Sequence, residues 1–152
     1  MEFYRGYVTG NLMLDLALLA WLAAQVLKVL LHYVFQGKSD FSLLMKSGGM
    51  PSSHSAFVCA LAVSVGILYG WSGPLFALAA GMAVVVMYDA CNVRWSTGEQ
   101  AKTLNELLSG MDQIPPQLRG RRLKEALGHT PFQVLMGALL GIAVGCLALL
   151  RR

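Results

Sequence analysis

Charged residues are scarce in this chain. Only 13% of its 152 residues are Asp, Glu, Lys or Arg, about half of the roughly 25% that a typical soluble domain carries. Hydrophobic residues make up 56%. So little charge cannot cover a compact soluble globule, which argues against a cytosolic enzyme, a disordered chain or a nucleic-acid-binding module, despite the net charge of +4. The composition predicts a membrane protein, and the length limits it to a single domain, residues 1–152.

Cysteine is scarce as well. Cys59, Cys91 and Cys146 lie in or beside apolar runs, without C-x-x-C spacing. An odd number excludes a complete disulfide framework, and the spacing gives no indication of a zinc site. We expect free thiols that pack as small apolar side chains.

Long apolar runs, in contrast, are abundant. A helix that crosses a bilayer needs about 20 mainly apolar residues. Four segments meet or approach that length: residues 12–31, 51–70, 74–92 and 130–150. They predict an all-α membrane protein of about four transmembrane helices. Polar loops are expected at residues 32–50 and 93–129.

Prolines and small residues support this division. Pro51, Pro74 and Pro131 each fit the first turn of a helix, where the missing N–H costs nothing. Small residues repeat every fourth position in the second and fourth spans, a spacing that lets helices approach closely in lipid. These residues are Ala56, Ala60 and Ser64, and Gly137, Gly141 and Gly145.

The third span is expected to continue into water as a cytoplasmic helical extension over residues 96–108. Gln100, Lys102 and Asn105 in this extension are interpreted as a solvated face. Contact with lipid headgroups is the alternative interpretation of the same three residues.

Basic residues are distributed unevenly about the spans. Four spans put both long loops on one side of the membrane and both termini on the other. The loop side holds nine of the 12 basic residues: Lys28, Lys38, Lys46, Arg94, Lys102, Arg119, Arg121, Arg122 and Lys124. Because basic residues are enriched on the cytoplasmic side, we expect the loop side to face the cytoplasm from the plasma (inner) membrane. Basic residues that bind a substrate would add to this count without reporting orientation.

Ionisable residues converge at the same side. Lys28 lies one turn from the loop end of the first span, and His54 lies near the start of the second. Asp89 and Arg94 lie at the loop end of the third span, and His129 immediately precedes the fourth. Charged groups at membrane depth are costly and are candidates for function. The convergence indicates a site at this membrane level.

The segment SGGMPSSHS, residues 47–55, is the most informative part of the chain. Its glycines allow a ligand close to the backbone. A helix that starts at Pro51 would place Ser52, Ser53 and His54 on its first turn, where free N–H groups and the helix dipole favour an anion. His54 could donate a proton to a leaving oxygen. A glycine turn with serine caps and a structural histidine is the alternative.

His129, in the segment LGHTP, can by itself be an interfacial flank of the fourth span. Together with His54, Lys28 and Arg94 it forms a set suited to phosphoryl transfer. One histidine attacks phosphorus and the other protonates the leaving group, while cations hold the phosphate oxygens.

Three blocks of the sequence resemble the divergent type-2 phosphatidic acid phosphatase (PAP2) family, which is related to the acid phosphatases and vanadium haloperoxidases. The blocks are GGMPSSHSA, YDACNVRW followed by GEQAKTLNELL, and LGHTPFQVLMGALLG. The similarity extends from about Gln25 to Gly141. It implies a PAP2-like helical bundle. Since the family's usual bundle has about six helices, a homodimer could supply missing walls.

The resemblance also implies roles for individual residues. His54 matches the general acid of the superfamily's second block, and Ser52 and Ser53 match phosphate contacts. The superfamily's first block has no literal match in this chain. Lys28 is the stand-in for its lysine and Arg94 for an arginine.

The third block departs from the superfamily pattern. His129 matches the nucleophile, but the residue four positions later is Gln133 instead of an aspartate. A glutamine can orient the imidazole without bringing the charge that stabilises an imidazolium. Asp89 would supply that carboxylate if helix packing brings it to His129, and Lys124 could replace a missing arginine as a phosphate ligand.

The resemblance therefore implies a phosphatase that hydrolyses a lipid phosphomonoester or diphosphate through a phosphohistidine, without a metal or other cofactor. Phosphatidylglycerophosphate, phosphatidic acid and polyprenyl diphosphates are candidate substrates. Expected partners are membrane lipids and no nucleic acid. Two alternatives stay open: a non-catalytic lipid-phosphate binder or translocator, and a structural or assembly partner.

Overall fold

The computed structural model describes residues 5–37, 49–111, 122–125 and 128–151. These residues form helices and turns, without a strand. Their helical elements are α1 (Leu12–Gln36), α2 (Ser53–Tyr69), α3 (Pro74–Tyr88), a π-helical turn (Asp89–Val93), α4 (Arg94–Ser109), α5 (Pro131–Gly145) and a 3₁₀ segment (Cys146–Arg151). The predicted all-α class is confirmed.

The helices differ in length from the four similar spans that the sequence predicts. In the described residues, three helical segments are long and apolar enough to cross a membrane: Leu12–Phe35, Pro74–Ser109 and Pro131–Arg151. Helix α2 is apolar but has only 17 residues, which is about 26 Å of helix. It is also the most enclosed helix, because α1, α3 and α5 all pack against it.

Helix starts follow the prolines in two cases of three. Pro74 and Pro131 occupy the first positions of α3 and α5, as predicted. The predicted start at Pro51 is wrong, because Ser52 has extended backbone and acts as the N-cap, its side chain accepting from the Ser55 N–H. A serine hydroxyl satisfies a free N–H of the first turn, so α2 begins at Ser53.

Two helices extend beyond their predicted spans. Helix α1 continues to Gln36 and ends at Gly37, whose φ of 66° suits a glycine. The third span continues through the π-helical turn into α4, which confirms the helical extension predicted over residues 96–108. Four residues of the basic count, Lys38, Lys46, Arg119 and Arg121, lie outside the described residues. The three cysteines are free thiols.

The small-residue stripes predicted from the sequence meet at the contact between α2 and α5. A side chain at Gly137 would collide with the Ser52 carbonyl, and one at Gly141 with the Ala56 carbonyl. A side chain at Gly145 would lie 2.9 Å from the Ala60 carbonyl oxygen. Glycine therefore lets the two backbones touch, as close packing in lipid requires.

Apolar packing defines the two ends of the bundle. Leu12 and Leu16 at the start of α1 contact Ile67 near the end of α2 and Ala148 in the 3₁₀ segment. The start of α2, the π-helical turn and the start of α5 are therefore at the opposite end, together with Lys28. The four elements that carry the predicted site residues meet at that end.

Candidate active site

His54 and His129 lie side by side at this end of the bundle. Their ring centroids are 6.4 Å apart, with an angle of 63° between the ring planes. His54 is in the first turn of α2 and its side chain is exposed. His129 lies in the loop before α5 and is only 3% exposed. The fold thus places one accessible and one buried imidazole within reach of the same small group.

The contacts of His129 fix which ring nitrogen carries its proton. Nδ1 lies 3.1 Å from the Gly49 carbonyl oxygen and 3.2 Å from Oε1 of Gln133. Oε1 also accepts from the Thr130 N–H at 3.2 Å, which assigns that atom of the amide as the oxygen. Because both neighbours of Nδ1 are acceptors, Nδ1 carries the proton in the neutral ring and Nε2 keeps a lone pair.

Gln133 has a second role, in the cap of α5. Thr130 is the N-cap, and its side chain accepts from the Gln133 N–H at 3.3 Å. The Gln133 side chain accepts in return from the Thr130 N–H, which completes a capping box. The same Oε1 atom therefore completes the cap at the start of α5 and orients the His129 ring.

The π-helical turn holds the backbone of His129. Its N–H donates to the Ala90 carbonyl oxygen at 2.9 Å. Within the turn, the Arg94 N–H bonds to the Asp89 carbonyl, five residues back. When α-helical pairing resumes after such a turn, one carbonyl is passed over, and here this is Ala90. Widened turns of this kind are frequent at functional sites.

Gly128 makes this attachment possible. Its φ is +87°, and a Cβ atom there would lie 2.5 Å from the Trp95 backbone nitrogen and 2.8 Å from the Arg94 carbonyl carbon. The loop before α5 therefore rests directly on the helix backbone where the π-helical turn ends. A residue with a side chain would displace it and carry His129 away from Ala90.

Lys28 is buried beside the histidines. It is 4% exposed, and its Nζ donates to Oε1 of Gln25 at 3.0 Å. Its stem packs against Gly49, where a Cβ atom would come within 3.3 Å of Lys28 Cδ. An ammonium group has three N–H donors, and the hydrogen bond to Gln25 uses one of them. Its charge acts on both His54 and His129.

Asp89 and Arg94 form an ion pair. The Arg94 Nε lies 2.6 Å from Oδ2 of Asp89, and both side chains are about half exposed. The expectation that Asp89 supplies the missing carboxylate of His129 is not met, because the carboxylate faces Arg94 and, within the described residues, Nδ1 of His129 bonds only to Gly49 and Gln133. The π-helical turn explains this, since it brings Arg94 back over Asp89.

The two serines of the segment PSSH occupy structural positions. The Ser52 hydroxyl oxygen accepts from the Ser55 hydroxyl at 2.9 Å and from the Ser55 N–H at 3.4 Å. The Ser52 N–H donates to the Gln133 carbonyl at 3.0 Å, which ties α2 to α5. Ser53 is buried at the first position of α2.

Lys124 is exposed, on a short segment that Asn105 holds against α4. The Asn105 amide donates to the Leu123 carbonyl at 3.0 Å and to the Glu125 carboxylate at 2.7 Å, and accepts from the Leu123 N–H at 3.0 Å. Asn105 is 8% exposed. Its interpretation as part of a solvated face is therefore wrong, because these backbone contacts bury it.

Comparisons with known proteins found similar sequences. A family model described as "Divergent PAP2 family" matches residues 9–144, a range that contains both histidines. The chain is 40% identical over 136 residues to a protein named "Uncharacterized membrane protein YuiD" from Bacillus subtilis (strain 168), covering 83% of this chain and 86% of the relative. No solved structure matches.

The chain belongs to the divergent PAP2 family. The family resemblance noted from the three sequence blocks is therefore confirmed. It is a membrane protein, as its apolar helices and its relative both indicate. The PAP2 relationship connects it with phosphatases as a class.

The surroundings of His129 in this divergent PAP2 protein keep its imidazole neutral. Burial lowers the pKa of His129 below its usual value of about 6.5, and the nearby charges of Lys28 and His54 lower it further. The hydrogen bonds to Gln133 and Gly49 oppose this shift in part. A neutral imidazole with Nδ1 protonated has the electron pair on Nε2 that a nucleophile needs.

Several residues of the site had only weak signals in the sequence. Gly49 and Ala90 contribute backbone carbonyls, which no side-chain pattern reveals. Gln25 precedes Lys28 by three residues in a mostly apolar helix, and that spacing puts the two on one face. This spacing is therefore the sequence signal that points to Gln25 as the partner of Lys28.

Proposed function

We propose that this divergent PAP2 protein is a lipid phosphate phosphatase that works through a phosphohistidine on His129. The observation that carries the proposal is the pair of imidazoles with centroids 6.4 Å apart, one of them held with its Nδ1 on the Gly49 and Gln133 oxygens. An oriented nucleophile beside an accessible second histidine is the arrangement that two-step phosphoryl transfer uses.

In the first step, Nε2 of His129 attacks phosphorus and the bond between phosphorus and the lipid oxygen breaks. The protonated imidazole of His54 donates its proton to that oxygen, so a neutral lipid alcohol leaves. In the second step His54, now neutral, takes a proton from water, and the resulting hydroxide attacks phosphorus. The bond between nitrogen and phosphorus breaks, inorganic phosphate leaves, and both histidines return to their starting forms.

Positive charge is available for the phosphate oxygens. The buried Lys28 ammonium is close enough to influence both rings, and the first N–H groups of α2, at Ser53 and His54, are at the positive end of the helix dipole. Arg94 adds a guanidinium that Asp89 positions. We propose these groups as the phosphate-binding set, and Lys124 stays a prediction from the sequence.

The site end of the bundle is proposed to face the cytoplasm. The support is the excess of basic residues in the loops at this end. Single cysteines introduced at Ser96 and Thr9 in a cysteine-free background test it with a membrane-impermeant maleimide added to intact cells. Labelling at residue 9 alone is expected, and labelling at residue 96 alone would reverse the orientation.

A second candidate function is lipid-phosphate binding or translocation without turnover. Gln133 favours it, because an amide on Nδ1 of His129 brings no negative charge to stabilise an imidazolium. The two functions differ in turnover and share the binding site.

The deciding experiment measures phosphate release by the purified full-length chain in detergent, without added divalent metal. The substrate panel is phosphatidic acid, phosphatidylglycerophosphate and a polyprenyl diphosphate. We expect release from at least one, inhibited by vanadate. His129→Ala and His54→Ala should each abolish it, whereas His32→Ala, which removes the remaining histidine of the chain, should leave it unchanged.

The leaving group separates the two histidines. With p-nitrophenyl phosphate the first step needs little protonation, so His54→Ala should still release p-nitrophenol in a burst of about one equivalent per chain before the second step stalls, while His129→Ala should give no burst. Full activity of both alanine variants would exclude this mechanism. Retained binding of a lipid phosphate with no release from any substrate would establish the second function instead.

A further inference from the structure

A cavity of about 520 Å³ lies at the end of the bundle opposite the histidines. It is lined by Arg5, Gly6, Tyr7, Gly10 and Arg151. The first four precede α1, and Arg151 ends the 3₁₀ segment after α5. The cavity therefore forms where the start of α1 meets the end of the last helix.

Of the five described residues that line the cavity, Arg5 and Arg151 are cationic and none is acidic. The guanidinium carbon of Arg151 lies 4.5 Å from the centroid of the Tyr7 ring. A guanidinium stacked on a ring keeps its N–H groups, which point outward in its plane, free for hydrogen bonds. The stacking therefore holds Arg151 in place without using its donors.

The carboxylate of Asp15, near the start of α1, is hydrogen-bonded to the segment that lines the cavity. It accepts from the Val8 N–H at 2.9 Å, from the Thr9 N–H at 2.9 Å and from the Thr9 hydroxyl at 2.6 Å. These bonds fold the segment before α1 into a turn. Asp15 thus shapes the loop that lines the cavity, with its carboxylate next to Gly6.

If α1 spans a bilayer, its length would put this cavity at the level of lipid headgroups. Large apolar side chains at this end point outward, with Tyr7 83%, Val8 85% and Leu150 80% exposed. From Leu12 to Lys28, α1 rises about 24 Å, close to the thickness of the hydrocarbon core of a bilayer. In that placement a cavity just outside Leu12 would lie beside the phosphates of the leaflet opposite the histidine site.

We propose that this cavity binds a phosphate group, carried by an anionic lipid headgroup or free in solution. Arginine matches phosphate oxygens with two parallel hydrogen bonds, and two arginines among five described lining residues, none of them acidic, favour a net negative ligand. Tyrosine is enriched at membrane interfaces because its ring is apolar while its hydroxyl can reach water. The proposal concerns binding alone and does not depend on catalysis by His129.

Native mass spectrometry of the full-length chain in detergent tests the proposal, with three separate additions: phosphatidylglycerol, phosphatidylcholine and inorganic phosphate. The test variant carries both Arg5→Gln and Arg151→Gln. The control is Arg122→Gln, which changes an exposed arginine at the histidine end of the bundle. We expect the double variant to bind phosphatidylglycerol about tenfold more weakly, and the control to bind it like the wild type. Phosphatidylcholine, whose cation the arginines repel, should bind weakly to all three.

Tyr7 provides a second test that keeps both charges. Tyr7→Phe retains a ring under Arg151 and should bind like the wild type, whereas Tyr7→Leu should weaken binding. Inorganic phosphate that binds the wild type and not the double variant supports the site and identifies the free anion as a ligand. Equal binding of phosphatidylglycerol and of phosphate by the wild type and the double variant would overturn the proposal.

Discussion

Oε1 of Gln133 lies 3.2 Å from Nδ1 of His129 and 3.2 Å from the Thr130 backbone nitrogen. One amide oxygen therefore joins the orientation of the imidazole to the cap of α5. Since α5 packs on α2 through its glycine stripe, the position of His129 relative to His54 depends on the contact between these two helices. Four predictions test parts of this arrangement.

The charge of the group on Nδ1 should change the rate of hydrolysis. Gln133→Glu keeps the acceptor and the cap and adds a negative charge beside His129. Because hydrogen bonds to charged groups are stronger by about 1 kcal/mol, kcat/KM should rise several-fold, to roughly tenfold. Gln133→Leu removes the acceptor and should lower kcat/KM by a similar factor. Equal rates for both variants and the wild type would show that Gln133 does not contribute to hydrolysis.

The pH dependence should reflect the lowered pKa of His129. The nucleophile must be neutral, and burial holds its pKa below the usual value. With p-nitrophenyl phosphate, whose leaving group needs little protonation by His54, kcat/KM should therefore stay constant as pH falls from 7 through about 6.5 and decline only at lower pH, by about tenfold per unit. Lys28→Met removes a nearby positive charge, so the decline should move to higher pH. A wild-type decline at or above pH 6.5 would contradict this account.

Gly128 should be essential for activity because of its contact with the backbone that follows the π-helical turn. Gly128→Ala adds a Cβ atom against Trp95, and displacement of His129 by about 1 Å is enough to lower kcat/KM roughly 100-fold. Gly37→Ala is the matched control, since Gly37 also has positive φ, +66°, but open space around its Cβ position. In both variants an alanine must adopt the left-handed backbone, which costs a similar free energy. A difference in activity therefore reports the steric contact at Gly128. Similar losses in both would assign the effect to backbone strain.

The glycine stripe of α5 should matter for stability. A side chain at Gly141 collides with the Ala56 carbonyl and lies 2.9 Å from Cys59 Cβ, so Gly141→Ala should cost about 1–3 kcal/mol of unfolding free energy. Gly81 in α3 has open space at its Cβ position. Gly81→Ala should therefore be neutral or stabilise by about 0.5–1 kcal/mol. Thermal unfolding in detergent micelles compares the two, and equal effects would argue against close packing of α2 on α5.

Much of the fold was predictable from the sequence. Hydropathy located the helices because residues that face lipid or a helical core must be apolar over a whole span. Proline fixed the starts of α3 and α5, since it lacks the N–H that the first turn does not use. The same information gave the wrong start for α2, where the Ser52 hydroxyl is the better cap.

The sequence predicted which residues belong to the site, but it did not predict which atoms they contact. The sequence by itself determined that His54, His129, Lys28 and Arg94 belong to one end of the bundle, because their positions relative to the apolar spans decide their depth. Only the tertiary structure decided that His129 rests on Gly49, Gln133 and Ala90 and that Asp89 pairs with Arg94. Such partners depend on the register at which helices touch and on one widened helical turn, and neither is encoded in the spacing of residues along a single segment.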